Sequence, residues 1–289
     1  MDTEPLDADA LRLALRGVVG ELDVVARTGS TNADLLARAR TSAGPPSAPA
    51  PDRPVPDRAV PDRAVPDRTV LVAEAQDAGR GRLDRRWESP PGAGLTFSVL
   101  LRPVGVPPAR LGWLPLLAGL SLVRTVRELT GLAAVLKWPN DLLVGPREAK
   151  CAGLLAEVAG PDAVVLGIGL NVRTRPDQLP AGVDATSLLA EGADVSRHDV
   201  LVALLRRLLA DEAAWRAHGG DPGAVGLPDA YRAVCATVGA EVRIDAPGGR
   251  STHATAVDVD GEGRLVVRGP GGDTRAVAAG DVVHVRAIP

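Results

Sequence analysis

The spacing of apolar residues predicts two long helices in this chain. Leucine, valine and tryptophan recur every three or four positions in GWLPLLAGLSLVRTVRELTG, residues 112–131, and a glycine closes the segment. This pattern is typical of a core helix that ends at a C-terminal glycine. Residues 196–218, SRHDVLVALLRRLLADEAAWRAH, show the same period and predict an amphipathic helix.

Shorter apolar runs predict strands. Residues 69–75, TVLVAEA, are rich in β-formers, and residues 95–103, LTFSVLLRP, predict a mostly buried strand. Residues 134–144, AVLKWPNDLLV, predict two short strands joined by a turn at the Pro-Asn dipeptide. KCAGLLAEVAG and DAVVLGIGLNV, residues 150–160 and 162–172, predict an antiparallel pair.

The pattern changes near residue 238. Five short β-like runs follow between residues 241 and 286, separated by glycine-rich turns and without a helix. Such a succession favours a small SH3-like β-barrel. We therefore predict two domains, residues 1–236 and 237–289.

A five-residue repeat, P-D-R-x-V, interrupts the first domain. Its four copies begin at Pro51, Pro56, Pro61 and Pro66. Proline at every fifth position, with paired Asp and Arg charges, disfavours a packed core and favours an extended chain. We predict a disordered insertion over residues 41–68 that acts as a linker; a ligand for an SH3-type domain is the alternative.

Composition narrows the class of protein. Hydrophobic residues make up 45% of the 289 residues, the formal net charge is −3, and there are two cysteines at distant positions. The acidic balance argues against a nucleic-acid-binding protein as a whole. The amino terminus is acidic rather than that of a secretory leader, and no apolar run approaches membrane-spanning length. We expect a cytoplasmic protein with no membrane contact, whose two cysteines are small buried hydrophobic residues.

Lysine and asparagine are rare, and their positions are informative. Of 33 basic residues only Lys137 and Lys150 are lysines, and Asn32, Asn140 and Asn171 are the three asparagines. Where arginine has replaced nearly every surface lysine, a lysine that persists indicates a place for a compact ammonium group. Four segments hold these five residues and Gln76, one of the two glutamines: STN (30–32), AEAQDAGRGRLDRRW (73–87), KWPNDLLV…AKCAGLLAEV (137–158) and GIGLNV (167–172).

In this order, these segments resemble the catalytic domain of the biotin protein ligases. The family pattern reads S-T-N, G-R-G-R-x-G-R-x-W, K-W-P-N-D, K-x-x-G-I-L-x-E and G-x-G-x-N. The resemblance covers roughly residues 22–172, and the C-terminal module fits it as well. It implies an α+β catalytic domain with a mixed, largely antiparallel sheet, similar to class II aminoacyl-tRNA synthetases, followed by the SH3-like barrel.

The resemblance implies an activity. The family joins biotin to ATP, releases pyrophosphate, and passes the biotinyl group from biotinyl-5′-AMP to one lysine of an acceptor domain. The first step brings a carboxylate against a phosphate, two anions that repel, so fixed cations matter more than a strong base. Mg²⁺ would accompany the nucleotide. The implied partner is the biotin carboxyl carrier domain of an acyl-CoA carboxylase, docking through a strand edge.

The resemblance also implies site residues. Catalysis is assigned to Lys150, Arg82 and Arg85. Biotin binding is assigned to Ser30, Thr31, Asn32, Gln76, Arg80, Gly81, Arg82 and Lys150. The nucleotide side is assigned to Trp87, Asn140, Asp141 and Asn171. The glycine-hinged Arg/Gly loop, residues 79–87, is expected to be mobile when empty and to close over biotin and its adenylate.

Several of these roles stay open. Ser30 and Thr31 can also cap a helix, and Trp87 can equally well belong to the core. Asp141 is a candidate Mg²⁺ ligand or a group that orients the acceptor lysine. Lys137 either supports the transfer step or pairs with a structural carboxylate. Arg286 in the last predicted strand can reach the nucleotide.

The chain departs from the family pattern at Asp84, which replaces the later glycine of the loop. Aspartate tolerates a left-handed backbone better than most residues, so the loop fold can persist. The added negative charge between Arg82 and Arg85 predicts altered biotin affinity or faster loss of adenylate.

Three alternative functions differ in class. A lipoate or octanoate protein ligase would share the architecture, but those relatives generally lack the G-R-G-R loop and the K-W-P-N-D run. A biotin-responsive repressor would need a DNA-binding domain ahead of Ser30, where the sequence has 29 residues. A noncatalytic biotin-binding module would not need Lys150 together with the arginines. We therefore expect a ligase that does not bind DNA.

Overall fold

The computed structural model describes residues 5–41, 65–180, 182–245, 251–279 and 284–287. Within these ranges the helices are α1 (Ala8–Ala14), α2 (Thr31–Thr41), α3 (Trp113–Thr130), α4 (Arg197–Ala217) and α5 (Leu227–Arg232). The two long helices predicted from periodicity are confirmed as α3 and α4. Gly131 ends α3 with a left-handed backbone (φ 69°), as predicted. The short helix α5 carried no clear periodic signal and was not predicted.

A seven-stranded sheet forms the first domain. Its strands are β1 (Glu21–Val25), β2 (Thr69–Ala73), β3 (Gly94–Leu101), β4 (Ala134–Lys137), β5 (Asp141–Val144), β6 (Ala149–Val158) and β7 (Val164–Asn171). The spatial order is β1-β2-β3-β7-β6-β5-β4. Only the β1–β2 pair is parallel, and the other neighbours are antiparallel. The mixed, largely antiparallel sheet expected for this α+β domain is confirmed.

The two faces of the sheet pack against different helices. Along β2, Val70 and Val72 belong to the large core that α3 and α4 cover. Leu71 lies between them and packs with Leu35 and Leu36 of α2 on the opposite face. This alternation follows from the two-residue period of a strand. Because α2 is short, it covers only part of its face and leaves the strands beyond its amino terminus open.

The C-terminal module is a five-stranded antiparallel sheet. Its strands are β8 (Glu241–Asp245), β9 (Ser251–Val259), β10 (Leu265–Arg268), β11 (Thr274–Val277) and β12 (His284–Ala287), in the order β11-β10-β9-β8-β12. All five runs predicted from the sequence form strands. The boundary between residues 236 and 237, and closure of the sheet into a barrel, stay predictions.

Two buried tryptophans join this module to the first domain. Trp113 donates its indole N–H to the carbonyl of Asp260, and Trp138 donates to the carbonyl of Gly263. The backbone N–H of Trp138 also donates to Thr237 Oγ1. The C-terminal module is therefore anchored at the segment that carries K-W-P-N-D.

Most of the predicted disordered insertion, residues 42–64, lies outside the described residues. Both ends of the predicted range belong to the ordered fold, which corrects its limits. Thr41 is the last residue of α2. Asp67 accepts a hydrogen bond from the backbone of Arg102 at 2.8 Å and pairs with Arg216 at 2.8 Å.

Candidate functional site

A cavity of about 830 Å³ opens on the α2 face of the sheet, beyond the amino terminus of that helix. Neighbouring strands of the sheet lie beneath it in register: Ser98 of β3 lies opposite Gly167 of β7, which lies opposite Leu155 of β6. The next such row contains Thr96, Gly169 and Gly153. Glycines at three of these six positions leave the strands there without side chains on this face. The hollow is therefore a property of the strand sequences.

Four residues at the buried end of the cavity form what we call the polar floor: Thr31, Asn32 and Gln76 line the cavity, and Ser98 lies behind them. Gln76 Oε1 accepts hydrogen bonds from the backbone N–H of Thr31 at 2.8 Å and from its hydroxyl at 3.2 Å. Ser98 Oγ lies 2.7 Å from Thr31 Oγ1 and donates to Asn32 Oδ1 at 2.6 Å. Three of the four are less than a tenth exposed. These hydroxyl and amide groups are held before any ligand arrives.

Ser30 combines the two roles considered for it. Its hydroxyl accepts from the backbone N–H of Ala33 at 3.4 Å, so it caps α2 as predicted, and its side chain also lines the cavity. Thr31 begins the helix rather than capping it.

The Arg/Gly loop, residues 79–87, folds back on itself as a small hairpin at the cavity mouth. Trp87 donates its backbone N–H to the carbonyl of Gly79 at 2.9 Å, and Gly81 donates to Arg85 at 2.6 Å. A Cβ on Gly79 would lie 2.3 Å from the Trp87 carbonyl oxygen, so the close approach requires glycine there.

The tip of the hairpin differs from the sequence-based expectation. The left-handed residue is Leu83 (φ 54°, ψ 50°), and not Asp84, which lies in the helical region of a one-turn 3-10 segment. Leu83 is also 48% exposed. A left-handed leucine is a strained conformation, which glycine would adopt without cost.

The indole of Trp87 packs on two glycines of the sheet. An ideal Cβ on Gly169 would lie 2.3 Å from the indole ring, and one on Gly153 would lie 3.3 Å from it. The indole N–H is buried and has no hydrogen-bond partner among the described residues. Lys150 Nζ lies 5.8 Å from the ring centroid, within reach of a cation–π contact. Both roles considered for Trp87 fit this position, because it packs on the sheet and lines the cavity.

Lys150 and Asp141 form the charged centre of the cavity. Lys150 Nζ lies 2.6 Å from Asp141 Oδ1, and both side chains are about a quarter exposed. Asn140 beside them donates its side-chain amide to the carbonyl of Leu154 at 3.0 Å. Lys137, at the end of β4, also lines the cavity. Both lysines of the chain thus border one site.

Arg82 extends from the loop to the C-terminal module. Its guanidinium lies 3.5 Å from Asn140 Oδ1 and donates to the carbonyl of Ala279. Burial, followed by the adjacent charge of Arg85, lowers the pKa of Arg82, while Asp141 opposes this shift. A lowered arginine pKa still leaves the group charged at neutral pH, so the cavity keeps this cation.

Asn171 is the one predicted site residue that the structure does not bring to the cavity wall. Its side-chain amide donates to the carbonyl of Thr186 at 3.0 Å, and it is 5% exposed. The neighbouring segment supplies Asp184 and Ala185 to the cavity. Asn171 therefore supports a wall segment, and its contact with nucleotide stays a prediction. Arg286 lies in β12, and its side chain is outside the described parts of the chain.

The remaining predicted residues do meet in one place. The cavity lining includes Ser30, Thr31, Asn32, Gln76, Arg80, Gly81, Arg82, Arg85, Trp87, Asn140, Asp141 and Lys150. Sequence reasoning missed Ser98, whose signal was a polar residue inside an apolar strand. It also gave no role to Glu157, the final residue of the K-x-x-G-I-L-x-E motif.

The carboxylates of the cavity suit only one kind of metal site. No group of three or more His, Cys, Asp or Glu residues lies together in the ranges that the structure describes. Asp141 lines the cavity, and its carboxylate lies at the charged centre beside Lys150. One carboxylate fits a magnesium ion that arrives with nucleotide phosphates better than a resident metal.

The two cysteines are buried and unpaired, as predicted. Burial raises the pKa of the Cys151 thiol far above its usual range, so it stays protonated. No helix in the described parts of the chain combines the length and apolar character that a bilayer crossing requires.

Comparison with known proteins identifies the family. Residues 56–171 match the family model described as Biotin/lipoate A/B protein ligase family, and residues 237–285 match Biotin protein ligase C terminal domain. The chain is 43% identical to Biotin--[acetyl-CoA-carboxylase] ligase of Mycobacterium tuberculosis over 98% of this chain and 97% of that protein. The chain therefore belongs to the biotin protein ligase family.

Further relatives agree with this assignment. Bifunctional ligase/repressor BirA of Bacillus subtilis is 31% identical over 69% of this chain and 61% of that protein. A biotin protein ligase from Aquifex aeolicus, solved in complex with biotin and ATP, superposes with a TM-score of 0.72 at 27% identity. That comparison covers 93% of this chain and 100% of the other. The described residues of this chain therefore share the fold of that biotin protein ligase over the superposed part.

Proposed function

We propose that this protein is an ATP-dependent biotin protein ligase. It joins biotin and ATP to biotinyl-5′-AMP, releases pyrophosphate, and transfers the biotinyl group to a lysine of a biotin carboxyl carrier domain. The observation that carries the proposal is one cavity in which a polar floor faces Lys150, Arg80, Arg82 and Arg85. The 43% identical relative named as a biotin--[acetyl-CoA-carboxylase] ligase supports the same reading.

The polar floor suits the ureido ring of biotin. That ring offers two N–H donors and one carbonyl acceptor, and the floor offers hydroxyl and amide groups of both kinds. Thr31 and Asn32 are fixed by Ser98 and Gln76, so binding requires little reordering of them. We assign biotin's ring to this floor and its carboxylate to the region of Lys150.

The first step is electrostatic. A biotin carboxylate oxygen attacks the α-phosphorus of ATP, the new O–P bond forms, and the bond to the pyrophosphate oxygen breaks. Both reactants are anionic, so the barrier falls when fixed cations surround the pentacovalent phosphorus. Lys150 stands between the two subsites as a point charge, and Arg82 and Arg85 complete the cationic wall.

Asp141 adjusts this charge. Its ion pair at 2.6 Å orients Lys150 Nζ and partly neutralises it in the ligand-free protein. When MgATP enters, Asp141 is the carboxylate that would hold the metal, which supplies charge neutralisation on the phosphates. Lys150 would then be directed toward the reacting oxygens.

The second step consumes the adenylate. The neutral amine of the acceptor lysine attacks the carbonyl carbon of the mixed anhydride, the C–N bond forms, and AMP leaves with the anhydride oxygen. The proton lost by the amine passes to solvent or to a nearby carboxylate. Trp87 and the Arg/Gly loop shield the anhydride from water until the acceptor arrives. A role of Lys137 or Asp141 in this step stays a prediction.

The test is an intact-mass assay. The protein, biotin, MgATP and an apo carrier domain should yield a biotin increment on the carrier. Lys150→Ala should slow the reaction by at least about a hundredfold, because one preorganised charge at the reacting centre is worth that much. Arg232→Ala removes a surface cation that pairs with Asp229 and Asp258 and should leave the rate unchanged. Full activity of Lys150→Ala would refute the site assignment.

The same assay separates the alternatives. Lipoate or octanoate in place of biotin should give no increment on the matching carrier; an increment would indicate a lipoate-type ligase. The Bacillus subtilis relative is named as both ligase and repressor. A gel shift with promoter DNA should show no sequence-specific retention of this chain, and retention would add a repressor function.

A further inference from the structure

A continuous series of polar contacts links the polar floor to the Arg/Gly loop. Ser98 donates to Asn32 Oδ1 at 2.6 Å, and Asn32 Nδ2 donates to Glu157 Oε2 at 2.9 Å. The other oxygen of the same carboxylate, Glu157 Oε1, pairs with the guanidinium of Arg80 at 3.1 Å. Glu157 therefore contacts the fixed floor with one oxygen and the loop with the other.

The two ends of this series differ in rigidity. Glu157 is held by its strand, where it lies opposite Val165 of β7, and by the buried Asn32. Its side chain is 22% exposed, whereas that of Arg80 is 45% exposed. A carboxylate with a fixed position next to a more exposed arginine sets the arginine's position, and the reverse does not apply.

We propose that Glu157 is a positioning residue for the Arg/Gly loop. Through Arg80 it fixes the hairpin at the cavity mouth in the ligand-free protein, and in the reaction it sets how far the Arg80 charge reaches toward biotin. The second half rests on the proposed function, whereas the first half concerns only this chain's own conformation. Asn32 of the polar floor donates to the same carboxylate that pairs with Arg80, so the proposed site of biotin's ring and the Arg/Gly loop both contact Glu157.

Glu157→Gln tests the first half without any ligand. Glutamine keeps an oxygen that can accept from Asn32 and removes the charge that attracts Arg80. Trypsin cuts after arginine, so cuts within residues 80–86, mapped by mass, report how often the hairpin opens. The ligand-free Glu157→Gln protein should be cut there about two- to fivefold faster, as expected for a half-exposed ion pair.

Asp23→Asn is the matched control. It breaks a half-exposed pair with Arg38 at 2.8 Å on the edge strand β1, away from the cavity. Cutting within residues 80–86 should stay at the wild-type rate in this control. Equal rates for Glu157→Gln and the wild type would overturn the proposal.

Kinetics test the second half. Glu157→Gln should raise KM for biotin about two- to fivefold and leave kcat at saturating biotin unchanged, since only the loop's position changes. In an Arg80→Gln background the same substitution should have no further effect, because Glu157 acts through Arg80.

Two kinetic results would overturn the proposal: an equal loss in kcat, or an effect of Glu157→Gln that persists in Arg80→Gln. A wild-type protein that adds no biotin to the carrier would instead refute the proposed function. The proteolysis result would then still decide whether Glu157 holds the loop.

Discussion

The cavity has two halves that are built differently. The polar floor consists of buried groups that hydrogen-bond to one another, with Ser98 fully buried in the middle of β3. The Arg/Gly loop instead meets the rest of the protein through partly exposed contacts, such as Arg80 with Glu157. Its tip also carries a left-handed leucine.

This difference in rigidity suits two different tasks: the polar floor recognises the ring of biotin, and the Arg/Gly loop brings cations to the reacting groups. A neutral ring with fixed donors and an acceptor is best recognised by groups that do not move, because their ordering cost is met during folding. Two anions that must enter and leave need cations that can open and close around them. A rigid floor beside an adjustable loop provides both within one cavity.

The packing of Trp87 on Gly169 is the contact whose substitution should disturb the cavity most. Gly169→Ala would place a Cβ 2.3 Å from the Trp87 indole, so the ring must leave the floor. Overpacking of ~1–3 kcal/mol should raise KM for ATP by about tenfold, because Trp87 is assigned to the nucleotide side. Gly153→Ala, whose Cβ would lie 3.3 Å away, is the matched variant and should have a clearly smaller effect. Equal effects of the two alanines would show that Trp87 does not need the Gly169 surface.

Substitution within the floor should affect both stability and binding. Ser98→Ala leaves Asn32 Oδ1 without its donor in a buried setting, which should cost about 1–2 kcal/mol of unfolding free energy. KM for biotin should rise as well, because Thr31 and Asn32 lose their fixed positions. Chemical denaturation and steady-state kinetics measure the two effects.

The loop supplies the comparison for that experiment. Arg80→Ala should raise KM for biotin with little change in unfolding free energy, since its ion pair is half exposed. If Arg80→Ala destabilised the fold as much as Ser98→Ala, the distinction between a rigid floor and an adjustable loop would be wrong.

The smallest expected effect concerns the loop tip. Leu83→Gly removes a left-handed strain of ~1–2 kcal/mol, and glycine's extra freedom in the unfolded chain offsets much of it. The melting temperature should therefore change little, while tryptic cutting within residues 80–86 should slow modestly. Leu83→Ala keeps the Cβ and its strain and should show no slowing. Identical cutting of the two variants would mean that the strain at Leu83 does not influence the loop.

Sequence reasoning worked where the signal was local. The periods of α3 and α4 and the strand pairs followed from patterns within single segments, whereas the set of cavity residues followed from the ordered motifs that resemble those of the biotin protein ligases. It failed where a partner from a distant segment decides the outcome. The motif around Asn171 did not reveal that its buried amide bonds to the carbonyl of Thr186, and nothing in the loop sequence marked Leu83 as the left-handed residue.

By itself, the sequence determined which segments are helices and strands and which residue types face the chemistry. Apolar periodicity fixes the face that an element buries, and rare lysines, asparagines and glycines mark the site. Only the tertiary structure decided that Ser98 fixes Thr31 and Asn32, and that Glu157 joins Asn32 to Arg80. These contacts join residues that are far apart along the chain. They depend on strand register and on helix placement, which no local pattern encodes.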